Sequence, residues 1–390
     1  MNKGIQKLEY PIIVHSHLGW DWVWQRPQQF FSRLSERHPV LFVEGPVPKS
    51  GIATPAVEIR EVSEYPNILV IQMAMPQHRW SDGDWVDNQR RRLVQEVLAG
   101  PLGERFSEPV QWFYDPMAVT AFAGRMKERA IVFDCMDQLS QFRGVPDTLV
   151  ARERKLLEMA DVVFAGGPKL GKEKRKINPN TYAYGCGVDV DHFGKAMLSG
   201  TVIPKEIACL TKPVFGFFGV VDERMDYELV TKLADMTPYG NVVIIGPSTK
   251  VDPTSFPNRE NLHWLGGCDY DLLPNYARGF DVCLVPFALN EATEYINPTK
   301  VLEYLATGRP VVSTVIEDVV LQFSKFVKIA GSHEEFIRLC QREALHPDQV
   351  AIQGGIDLSY RNTWEAVVSN LERHVEDFLA SGKNAPVVAV

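Results

Sequence analysis

Residues 280–314 read FDVCLVPFALNEATEYINPTKVLEYLATGRPVVST, and their pattern decides the fold. FDVCLVPF at one end and RPVVST at the other are apolar runs without the polar alternation of a half-exposed strand. Such strands are buried on both faces, as in parallel sheets. Between them Asn297 can N-cap a helix, Pro298 suits its first position, and Gly308 ends it. Strand, helix and strand in this order make a right-handed crossover, the unit of doubly wound α/β layers.

The alternation continues outward. KPVFGFFGVV (212–221), NVVIIGP (241–247) and NLHWLGG (261–267) read as further strands of the second half. In the first half YPIIVHSH (10–17), PVLFVEGP (39–46), NILVIQM (67–73), PVQWFYD (109–115), AIVFDCMD (130–137) and ADVVFAGG (160–167) read the same way. Helical patterns lie at 27–36, 85–98, 147–159, 226–235, 270–277 and 298–307. These are too many strands for one Rossmann-like unit, and the periodicity lapses over CGVDVDHFGKAMLSGTVIPKEI (186–207). The expectation is an α/β chain of two Rossmann-like parallel-sheet domains facing across a cleft. They span residues 1–198 and 199–360, and a closing helix follows over 361–380.

Composition narrows the class. The 390 residues carry a net charge of −8, which argues against a nucleic-acid binder, since phosphate neutralisation needs a basic face. Apolar residues at 45% and charged residues at 23% are globular values. The six cysteines include no C-x-x-C pair and fit reduced thiols of a cytoplasmic protein. MNKGIQKLEYPIIVHSH has only a short apolar run and reads as no signal peptide. No uncharged apolar stretch reaches the roughly 18 residues of a membrane span.

Four segments carry candidate chemistry. A helix beginning at Asn297, Pro298 and Thr299 can bind an anion on its free N–H groups, with the charge of Lys300 one turn in. Glu303, about 7.5 Å further along that axis, would reach a nucleotide's ribose hydroxyls. Alternatively it pairs with Lys300 as an ordinary surface contact. In KPVFGFFGVVDERMDYELV, Gly216 and Gly219 permit close approach at a strand's carboxyl end. Arg224 is a phosphate clamp there, or else a loop arginine paired with Asp222 or Asp226. In HSHLGWDWVWQRPQQF, His17, Trp20, Asp21, Trp22 and Arg26 suit a sugar acceptor, although tryptophans also fill cores. Asp134 and Asp137 end a buried strand, where they could orient a hydroxyl, act as base, or cap the next segment.

Two patterns mislead. GGPKLGKE (166–173) matches G-x-x-x-x-G-K but has Glu where a P-loop needs Ser or Thr, and Pro168 removes an N–H. KLGKEKRK, from Lys169 to Lys176, is a basic run that reads as a solvated face or as a contact with an anionic membrane.

WDWVWQRPQQ, VFDCMDQLSQFRG, AYGCGVDVDHF, GFFGVVDERMDYELV and above all NPTKVLEYLATGRPVVST occur in the order found in GT-B fold glycosyltransferases. Together they resemble the retaining, family 4-type enzymes of bacterial cell-surface polysaccharide synthesis, in the teichuronic-acid-type branch. The resemblance implies transfer of a sugar from a UDP- or GDP-linked donor to a hydroxyl of a glycan or lipid-linked acceptor. It implies the acceptor on the first domain and the nucleotide on the second, its base near Gly246, Pro247 and Tyr270. Arg224 and Lys300 would stabilise the leaving diphosphate, and with no D-x-D-like cluster no metal or other cofactor is expected. The family's first glutamate, separated from the second by seven intervening residues, is here Tyr295, the second being Glu303. Glu294, the nearest carboxylate, is the catalytic candidate with Asp137, and Glu291 is the other. A sugar-nucleotide epimerase, or a catalytically silent sugar-nucleotide-binding protein, are alternatives on the same fold.

Overall fold

Continuous apolar runs place their backbones where only neighbouring strands can satisfy N–H and C=O groups, and these runs do form parallel ladders. The computed structural model describes residues 9–22, 24–139, 147–249 and 256–381. The end of VFDCMDQLSQFRG and the tail from residue 382 lie outside these.

The chain divides into two compact units. The first takes the chain up to Gly166, Leu170–Tyr184, and the chain from Val368 on; the second takes Gly167–Lys169 and Gly185–Val367. The crossing at Tyr184 precedes the boundary expected at residue 198.

In the first unit the strands are β1 (Ile12–Ser16), β2 (Val40–Glu44), β3 (Val47–Lys49), β4 (Ala56–Glu61), β5 (Ile68–Pro76), β6 (Val110–Phe113), β7 (Ala130–Cys135), β8 (Val162–Ala165) and β9 (Thr181–Ala183). They form one sheet in the order β3-β5-β2-β1-β6-β7-β8-β9, parallel except for β4, which pairs antiparallel with β5. Every residue of β1, β2, β6, β7 and β8 is buried, as runs without polar alternation require. His15 on β1 is one of these, stacked between Phe113 and Phe122 with Nε2 2.8 Å from Gln111 Oε1. Burial pushes its pKa down to about 3, so the ring is neutral.

The second unit holds β10 (Val214–Phe218), β11 (Asn241–Ile245), β12 (Leu262–Trp264), β13 (Val282–Val285), β14 (Val311–Thr314) and β15 (Lys328–Ala330). Their order, β12-β11-β10-β13-β14-β15, is wholly parallel. The deciding segment is thus β13, a helix over Lys300–Ala306, and β14 beside β13. Thr299, not Asn297, stands at the cap position, and no side chain caps it. Gly308 ends the helix at φ +68°, as its lack of a side chain allows.

The other expected helices appear at Arg26–Leu34, Gly83–Leu98, Leu149–Met159, Tyr227–Met236 and, after a 3₁₀ turn at Tyr270–Leu272, Leu273–Arg278. The closing helix, Trp364–Ser381, changes unit within its first turns. Within the first unit its Glu372 accepts from buried His38 at 2.9 Å, and its His374 stacks on Tyr182 at 3.7 Å.

Candidate functional site

In the second unit the expected nucleotide residues gather at the carboxyl ends of β10 and β11. Gly219 (φ +144°) and Gly246 (φ +145°) follow those strands directly, in backbone conformations that glycine favours. A Cβ on Gly246 would lie 1.8 Å from the Gly219 carbonyl oxygen, and one on Gly219 would lie 2.7 Å from Lys300 Cε. The loop after Gly219 is clamped on both sides. Val221 donates to Pro247 O at 2.9 Å, while Ala288 donates to Arg224 O and Asp226 to Pro286 O, each at 2.8 Å.

Lys300 enters from the helix to meet Gly219. Its ammonium lies 5.5 Å from the ring centres of both Phe217 and Phe287. Desolvation lowers its pKa; Glu303 and Asp222 oppose that shift and Arg224 adds to it. Three ionisable groups from two separate motifs, Asp222, Arg224 and Glu303, therefore act on Lys300. Glu303 lies in the first turn of the shortened helix, nearer its N-terminus than expected. Burial pushes its pKa up to about 6, with Lys300 pulling the other way. Arg224 grips Asp222, its Nε 3.0 Å from each carboxylate oxygen, so the local pairing considered for it is formed. Tyr304, missed by sequence reasoning, pins the helix to β10. Its hydroxyl receives the Phe218 N–H at 2.9 Å and faces the Phe218 carbonyl at 3.2 Å.

The remaining residues of this set make other contacts. Pro298 is buried and Thr299 half-buried. Asn297 accepts from Gln322 Nε2 at 3.1 Å, a packing role in place of the expected cap. Glu294 is partly exposed and meets Lys169 Nζ at 3.4 Å; the same ammonium lies 2.9 Å from Glu317 and 4.8 Å from the Tyr295 ring centre. Tyr270 stacks on His192 at 4.3 Å and packs edge-on to Phe193, which in turn stacks on Phe218. The P-loop-like segment holds no phosphate cradle. The Lys169 N–H donates to Asp318 Oδ1 at 2.9 Å, and Asp318 Oδ2 is buried without a partner. Burial pushes that carboxyl's pKa up to about 6.

The residues expected to meet an acceptor divide sharply. Trp20, Arg26 and Asp134 are not at a surface. Trp20 packs edge-on against Trp24, Phe42 and Tyr65. Arg26 Nε lies 3.0 and 3.1 Å from the two Asp134 oxygens, with both side chains buried, and its Nη1 donates to Tyr184 O at 2.8 Å. This pair is a core ion pair, which corrects the expectation that either residue meets an acceptor. His17, Asp21 and Trp22 are exposed and line a cavity of about 470 Å³. Asp137 is half-buried just past β7, in the first unit.

The basic run is solvated in part. Lys174 is buried and bound at 2.8 Å to both Glu153 and Gln138, Arg175 donates to Thr181 O, and Lys176 pairs with Glu173. The run lies on and just past a helix, Pro168–Arg175, with Lys172, Arg175 and Lys176 exposed. Among the described residues no helix is long and apolar enough to cross a membrane, and no group of three or more His, Cys, Asp or Glu could hold a metal ion.

No protein-family model matches the chain. A Bacillus subtilis protein assigned to teichuronic acid biosynthesis as the glycosyltransferase TuaH is 23% identical over 235 residues, covering 54% of this chain. The match spans 58% of that relative's length. Among solved structures, sucrose-phosphate synthase from Thermosynechococcus elongatus superposes with a TM-score of 0.68 at 15% identity, over 96% of this chain and all of that one. Anabaena HepE, solved in complex with UDP, gives 0.67 at 12% identity, over 94% of this chain and all of that one. At these identities the likeness to solved structures is one of architecture, and it identifies the fold as the two-domain α/β fold of GT-B glycosyltransferases.

Proposed function

We propose that the protein is a glycosyltransferase that moves a hexosyl group from a nucleoside diphosphate sugar to a hydroxyl acceptor, with retention, in cell-surface polysaccharide synthesis. The observation that carries this reading is the desolvated Lys300 ammonium beside Gly219, within the electrostatic reach of Arg224 and Glu303. A diphosphate at these strand ends occupies the usual ligand position of an open parallel sheet. Lys300 and Arg224 stabilise the charge that develops on the leaving diphosphate, in a site where such charges act strongly. Arg224 exchanges one anionic partner, Asp222, for another. Glu303 accepts the ribose hydroxyls, and the first unit holds the acceptor. The UDP bound in HepE and the assignment of TuaH to teichuronic acid biosynthesis support the donor class and the pathway class respectively.

Calorimetry with UDP and GDP tests the nucleotide site. Glu303→Gln keeps the volume and removes charge-assisted hydrogen bonds worth about 1.5–3 kcal/mol each, so binding should weaken at least tenfold with an unchanged thermal melt. Equal affinity in the variant overturns the assignment.

A further inference from the structure

The cavity in the first unit joins His17, Asp21 and Trp22 to residues outside the sequence motifs, Glu44, Arg60 and Gln72. It opens past the carboxyl ends of β1 and β2, where His17, Asp21 and Trp22 follow β1 and Glu44 ends β2. Its wall is completed by Arg60 of the antiparallel strand β4 and Gln72 of β5. Its volume of about 470 Å³ lies within the roughly 300–1,000 Å³ of small-molecule sites. Glu44 is 6% exposed and held in place, accepting from the Trp20 N–H at 2.8 Å and from Gln72 Nε2 at 3.0 Å. One Arg60 nitrogen lies 2.7 Å from Asp21 Oδ2 and 3.4 Å from Glu44 Oε1. Trp22 is 68% exposed at the rim.

Resting on the transferase reading above, we propose that this cavity is the acceptor-sugar subsite. It takes an uncharged hexose ring and rejects sugar phosphates and uronates. Two carboxylates face one guanidinium, so the lining has no surplus positive charge for an anion, and a phosphate would have to displace Asp21 from Arg60. A neutral ring needs no such exchange. Its hydroxyls donate to Asp21 and Glu44 and accept from Gln72 and Arg60, and its C–H face stacks on Trp22. Selection is then a matter of repulsion built into the lining as much as of attraction.

Saturation-transfer NMR on the full chain at pH 7 reads this directly, with and without UDP, using methyl α-glucoside, methyl N-acetyl-β-glucosaminide, glucose 6-phosphate and glucuronate as probes. The neutral glycosides should bind and the anionic sugars should not. Trp22→Ala should weaken the neutral glycosides at least fivefold. Asp21→Asn leaves Arg60 facing one carboxylate and should gain binding of glucose 6-phosphate. Both substitutions are at exposed positions, and a thermal melt verifies folding. Anionic sugars binding the unaltered protein as well as neutral ones, or neutral binding unchanged in Trp22→Ala, overturns the proposal. The two readings fail separately. UDP binding that depends on Glu303, without hexose binding, removes the subsite alone; hexose binding of the expected pattern, without any nucleotide binding, removes the transferase and leaves a sugar site.

Discussion

At the scale of single residues, burial separates groups that look alike in the sequence. Asp134 and Asp137 stand three positions apart, yet Asp134 is sealed against Arg26 while Asp137 is half-buried past the strand end. Asp134→Asn leaves the Arg26 charge buried without its counter-charge, which costs about 3–5 kcal/mol. Denaturant unfolding should show that loss. An Asp134→Asn protein of full stability but poor acceptor binding would restore a role at the acceptor. Glu303 has the opposite character: its carboxyl is held up near 6, above the ordinary 4.5, by desolvation. The raised value means that the ionised form, the one the proposed ribose contact requires, is depleted as pH falls through about 6. UDP affinity should therefore drop between pH 7 and 5, and calorimetry on Glu303→Gln should show a shallower profile over that window, the remainder coming from the second ionisation of the terminal phosphate at about pH 6. A profile in the variant as steep as in the unaltered protein would assign the titration to another group.

At the scale of elements, the ends of β10 and β11 are shaped by their glycines. The positive φ of Gly246 and the 1.8 Å approach of any Cβ to the Gly219 carbonyl leave no room for a side chain. Gly246→Ala should lower stability by at least about 1–3 kcal/mol, the range for strained backbone, and reduce UDP affinity with it. Thermal melts and calorimetry check both. Elements with strong local signals were legible: the continuous apolar strands, and the helix Tyr227–Met236 with Asp226 as its cap. Others were not. β4 reads AVEIRE, a mostly polar edge strand whose place is decided by pairing with β5, and β9 and β15 are too short to show a period. The helix Gln349–Arg361 carries Gly354 and Gly355, poor helix formers that are in place because Phe326 and Leu305 press against them. Ser332 and Asp348, by contrast, cap their helices with side-chain bonds, a signal that lies in the local sequence.

At the scale of the whole molecule, the proposed chemistry makes one further demand. With Lys300 and Arg224 carrying the charge of the leaving group, transfer should proceed in EDTA, and proton NMR of the new glycosidic linkage should show the donor's anomeric configuration. Loss of turnover on chelation with rescue by Mg²⁺, or an inverted product, overturns the scheme. The sequence by itself determined the class of the fold. Parallel strands buried on both faces must be continuously apolar, and crossovers are usually helical, so β13, its helix and β14 announce a doubly wound sheet from their residues alone. It also marked the Gly219, Arg224, Lys300 and Glu303 set, because glycine, charge and helix starts have local signatures. Only the tertiary structure decided that Trp20, Arg26 and Asp134 are core while Trp22 and Asp21 face a cavity. Only it brought Glu44, Arg60 and Gln72 to that cavity from three strands. The physical reason is that burial and charge pairing depend on which distant segments meet, and a loop's own composition does not contain that information.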